Sequence, residues 1–103
     1  MQGCRSSGVQ TANHVVSAQR AQLMSIHAQL TGTATTTVKV FDHASSASGT
    51  ELARIILTPN ALPVSNELTR IEFDMHGVIA TNGLYLSIST GTGTGAAVSV
   101  EFA

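Results

Sequence analysis

Four histidines, His14, His27, His43 and His76, have the widest chemical reach in this chain of 103 residues. Zinc centres draw their ligands from close, paired spacings. Here each histidine stands alone in its own segment, and only Asp42–His43 and Asp74–His76 set a carboxylate beside an imidazole. Asp74 and His76, two apart, would share one face of a strand. The spacing places Asp42, His43 and His76 at loop starts and His27 on an outward strand position, with no metal ligand among them. Nucleophilic chemistry finds no better support. None of the 11 serines sits between glycines in a nucleophile elbow, and Ser17, Ser25, Ser87 and Ser99 fit outward strand positions. Cys4 has only Arg5 beside it, too little to hold a catalytic geometry, and a lone cysteine closes no intrachain disulfide. Gly91 to Gly95 (GTGTG) resembles a phosphate-cradling loop, but such loops lead into a helix. An alternating strand follows instead, so a hairpin tip is expected. No catalytic, cofactor-binding or metal site is expected, and the chain reads as a non-enzyme without a cofactor.

These side chains must be carried by strands. Gln22 to Leu30 (QLMSIHAQL) sets Met24, Ile26, Ala28 and Leu30 against Ser25, His27 and Gln29, the period of two of a half-buried strand. A helix would join Met24 to Ala28 but leave Ile26 among the polar set. Thr35 to Phe41 is β-branched almost throughout, which suits a pleated surface. Thr36, Val38 and Val40 share one of its faces. The short turn around Gly32 predicts an antiparallel hairpin from these two strands. Asp42 to Thr50 reads as a loop. Glu51 to Leu57 reads as a strand stopped by Thr58–Pro59. Thr69 to Met75 places Ile71, Phe73 and Met75 inward and Arg70, Glu72 and Asp74 outward. Asn82–Gly83 predicts a type I′ turn between Gly77–Ala80 and Leu84–Ser89, and Ala96 to Phe102 forms the last strand. With a first strand near Asn13 to Ala18, the pattern is all-β. It predicts an antiparallel β-sandwich, jelly-roll or Ig-like, of about seven strands. Residues 1–12 read as an N-terminal extended arm and residues 13–103 as the β-sandwich domain.

Composition bears on partners. Charged residues make up 11%, against roughly 25% in an average soluble domain, while 13 Thr, 11 Ser and 13 Ala fill the surface. Net charge is −1, whereas small free domains stay soluble at a magnitude of about 2–8. Such a surface suits a protein covered by copies of itself or by a larger assembly. The charge leaves no basic footprint for nucleic acid. Tyr85 alone is available for stacking, since Phe41, Phe73 and Phe102 are needed inside. No run approaches the length of a membrane span. Met1 to Val9 lacks the apolar stretch of a secretory signal, and Gly3–Cys4 lacks the one that precedes a lipidated cysteine. Synthesis and assembly in a cytoplasm are the expectation.

One resemblance spans Leu23 to Phe102. The strand from Leu23, its short turn, then TTTVKVFDHAS followed by SGTEL resembles small virion proteins of tailed bacteriophages. In these, a strand ends in an alternating aliphatic–aromatic–Asp segment and a small-residue loop. Phe73 to Leu84 is similar to the same group's glycine-bearing hairpin, and VSVEF to its final strand. The resemblance implies a β-sandwich structural protein of the particle, such as a capsid decoration (cement) protein sitting as a homotrimer on the major capsid protein. Its place would be the capsid surface of the virion. The group also includes tail and fibre components, so a receptor- or glycan-binding knob using Tyr85 is the alternative. The resemblance implies no enzyme activity, cofactor, nucleic acid or membrane partner, and transfers no catalytic residue.

Overall fold

The computed structural model describes residues 4–31, 35–58, 70–90 and 95–103. Eight strands follow one another without a helix: β1 (Arg5–Ser6), β2 (His14–Ser17), β3 (Ala21–Leu30), β4 (Thr36–Asp42), β5 (Thr50–Leu57), β6 (Arg70–Ala80), β7 (Leu84–Thr90) and β8 (Ala96–Phe102). They form two antiparallel four-stranded sheets, ordered β1-β8-β3-β6 and β2-β7-β4-β5. Four of the pairs are β1·β8, β2·β7, β3·β6 and β4·β5. That nesting is one long antiparallel ribbon, folded back at the β4–β5 loop and rolled until β8 meets β3 and β7 meets β4. Of the two sandwiches that the sequence allows, this winding is the jelly roll.

The core lies between the sheets. Leu23, Ile26, Ala28 and Leu30 of β3 and Val98 and Val100 of β8 face Val38 and Val40 of β4, Ile55 and Leu57 of β5, and Leu84 and Leu86 of β7. Each fully buried aliphatic side chain contributes about 1.5–3 kcal/mol. No buried side-chain oxygen or nitrogen lacks a partner among the described residues.

Several local expectations are revised. The strands number eight, because Arg5–Ser6 pairs with β8. The stretch set apart as an arm continues along that strand: Ser7 N donates to Val100 O at 2.8 Å, and Gln10 and Val98 exchange two backbone bonds. Neither expected hairpin forms. β3 and β4 lie in different sheets, as do β6 and β7, and β4–β5 is the one hairpin between consecutive strands among the described residues. Residues 91–94 lie outside the described residues, so the expected GTGTG tip falls there, but β7 and β8 are again in opposite sheets. Asn82–Gly83 is no type I′ turn, since the one non-glycine with positive φ among the described residues is His76 at 55°. Gly83 is required for another reason. A Cβ there would lie 2.5 Å from Ser17 O and 3.0 Å from His43 O.

The inward sets also shift. Leu23 is buried and Met24 is not, because Met24 is an extra residue in β3, opposed by no residue of β8. Ile71 and Met75 pack on the core, whereas Phe73 stays 41% exposed on edge strand β6. Phe102 packs against the core, but Phe41 lies half-buried outside it, opposite Tyr85.

Candidate functional site: the outer face of the first sheet

Alternation sends every second side chain of β3, β6 and β8 away from the core. Register then decides which of them meet. His27 stands opposite Glu72 of β6 and Ser99 of β8, and Ser25 stands opposite Asp74 and Glu101. The result is a row across the sheet, lining a shallow trough of about 410 Å³ with Cys4 at one side.

Glu101 is the centre of this row. Ser25 Oγ donates to its Oε1 at 2.6 Å, and His27 Nε2 lies 3.0 Å from the same oxygen. These two hydrogen bonds, Ser25 first, hold the Glu101 carboxyl below its ordinary range against the opposing effect of burial. On its other side, His27 Nδ1 is 3.7 Å from Glu72 Oε1. A serine, an imidazole and two carboxylates are thus in one place, but the order of bonds is not that of an activated nucleophile. The Ser25 hydroxyl points at a carboxylate, and His27 Nε2 is 3.4 Å from it. A general base must hold the nucleophile's own proton. Among the described residues no three His, Cys, Asp or Glu side chains are placed to hold a metal ion. The arrangement makes an exposed, negatively charged, hydrogen-bonded surface.

His43, Asp74, Asp42 and Glu51 do structural work. His43 Nδ1 accepts the amides of Ser45 and Ser46, both at 3.0 Å, and orders the β4–β5 loop. Asp74 Oδ1 accepts the amide of His76 at 3.0 Å inside an irregularity of β6. Asp42 accepts the amides of Asn82 at 2.7 Å and Thr81 at 3.2 Å, tying the β6–β7 link to the end of β4. On the outer face of the second sheet, Arg54 forks onto Glu51 at 2.8 and 2.9 Å, with Lys39 4.0 Å away. The Arg54 hydrogen bonds, more than either cation's field, hold the Glu51 carboxyl low. Tyr85 is half-buried between Val15 and Phe41 on that face.

The sequence reading placed His27 outward, and it is outward, but the Ser25–His27–Glu101–Glu72 row was missed. Its members share outward phase in their own strands. The missing information was the strand order β8-β3-β6, which alone makes them neighbours.

A second depression, of about 500 Å³, lies where β1, β3 and β8 end, and brings Arg5 and Arg20 together with Ser17, Gln19, Ala21, Phe102 and Ala103. Neither arginine forms an ion pair among the described residues.

No protein-family model, no curated protein and no solved structure matches this chain. The class defined by the fold is that of small all-β sandwiches with jelly-roll winding.

Proposed function

We propose that this chain is a non-enzymatic structural protein of a bacteriophage virion, a capsid decoration (cement) protein that stabilises the shell by contacts with its own copies and with the major capsid protein. One observation carries the reading that it works by contact. Among the described residues the exposed large apolar side chains are Val9 (72%), Ile56 (54%), Ile79 (48%), Phe73 (41%) and Val15 (38%). Val15, Ile56, Phe73 and Ile79 lie on β2, β5 and β6, each an edge strand, and Val9 lies in the segment that flanks β8 beside β1. Apolar side chains concentrated on sheet edges favour pairing with another chain unless something covers them. The jelly roll recurs in viral capsid proteins, an analogy of fold and not of site. The virion, the shell and the homotrimer rest on the resemblance of Leu23 to Phe102.

The test is localisation on intact particles of the phage whose genome carries the gene. Antibody label spread over the whole shell is the expected result. Label confined to one vertex would favour the tail or fibre reading, and particles without label would overturn both.

A further inference from the structure

We propose that copies of this chain associate head to tail, with the Arg5–Arg20 depression of one protomer seated against the Glu72–Phe73–Asp74 edge of its neighbour. This rests on the reading that the chain associates with itself, and adds which surfaces meet. The two ends of the sheet order β1-β8-β3-β6 are unlike. Arg5 on edge strand β1 and Arg20 just before inner strand β3 share an open depression where the strands end, without an ionic partner among the described residues. At the β6 end, Glu72 and Asp74 have side chains 66% and 71% exposed, with an imidazole nitrogen of His27 3.7 Å from Glu72 and one of His76 3.5 Å from Asp74. Several other charges are already engaged: Lys39 and Arg54 on Glu51, Asp42 on two amides, Glu101 on Ser25 and His27.

An exposed apolar side chain lies near each set of charges, Val9 in the segment after β1 and Phe73 between the two acids in sequence, opposite Ile26. Exposed ion pairs add little affinity singly. Their part here is to select the neighbour and its orientation, while Val9 and Phe73 lose water on contact. A contact between unlike surfaces is heterologous, so it generates a ring where the rotation closes. The homotrimer implied by the resemblance is one such ring.

The experiment is analytical ultracentrifugation of the wild-type chain and two charge-reversed variants, R5E/R20E and E72K/D74K, with thermal melts showing that each remains folded. The wild type is expected to associate, more weakly as salt is raised. Each variant alone should associate about a hundredfold more weakly, and their equimolar mixture should associate again, as mixed pairs or other even-numbered assemblies, since unlike variants must alternate and a three-membered ring cannot alternate. A wild type that stays monomeric at all concentrations overturns the proposal. So does an R5E/R20E variant that associates like the wild type, or a mixture that stays monomeric. Shell labelling without this charge pattern would sink the edge contact and leave the virion role standing. The charge pattern without any label on particles would do the reverse.

Discussion

Gly83 and Glu101 carry more than their size suggests. At Gly83 φ is 149°, and three backbone atoms crowd the position where a side chain would begin: Ser17 O, His43 O and Ala44 Cα. Backbone atoms from two other segments cannot swing aside as a side chain could. Gly83→Ala is therefore expected to cost about 2–3 kcal/mol, lowering Tm by roughly 10 °C or more in a circular-dichroism melt. Glu101 acts through protonation. Its folded-state pKa is lowered by Ser25 and His27, so the folded protein binds fewer protons than the unfolded chain between the two values. The stabilisation is complete above the unfolded carboxylate value of about 4.3 and is lost as pH falls through the lower, folded one. Glu101→Gln should be less stable than wild type at neutral pH, and the gap should close below about pH 4. Urea midpoints measured across that range check this, and a gap that stays constant would refute it. Glu51, held low by Arg54, adds to the same acid loss.

Within an element the informative residue is Met24. In β3 the inward set runs Ala21, Leu23, then Ile26, Ala28, Leu30, with Met24 and Ser25 together filling one outward step. Deleting Met24 would leave strict alternation intact, so that variant is expected to fold and melt cooperatively. Deleting His27 would set Ile26 beside Ala28 and turn half the strand inside out. That variant is expected to be insoluble, and the two expression trials form a matched pair. The same bulge marks a limit of legibility. Strands β3 to β8 were readable because alternation is local, and Val38, Val40, Leu84, Leu86, Val98 and Val100 are buried as their phase requires. An inserted residue leaves no mark in composition, so Met24 took the place that belongs to Leu23. Turn chemistry was equally silent on destination. The strands on either side of Gly32, like those on either side of Asn82–Gly83, lie in different sheets. The candidate site suffered most, since it exists only through strand neighbours far apart in sequence.

At the scale of the whole molecule, nested pairing makes the contacts distant. Arg5 lies opposite Phe102 and His14 opposite Leu86. Ordering so much chain before such pairs form is slow, and stopped-flow refolding is expected to take milliseconds to seconds despite the small size. The position of β8 sharpens the point. It sits between β1 and β3, so a strand made after the other seven described strands fills an inner slot of the first sheet. Synthesis must therefore run through Phe102 before that layer can close, and until then the nascent chain holds a vacant groove between β1 and β3, flanked by waiting backbone.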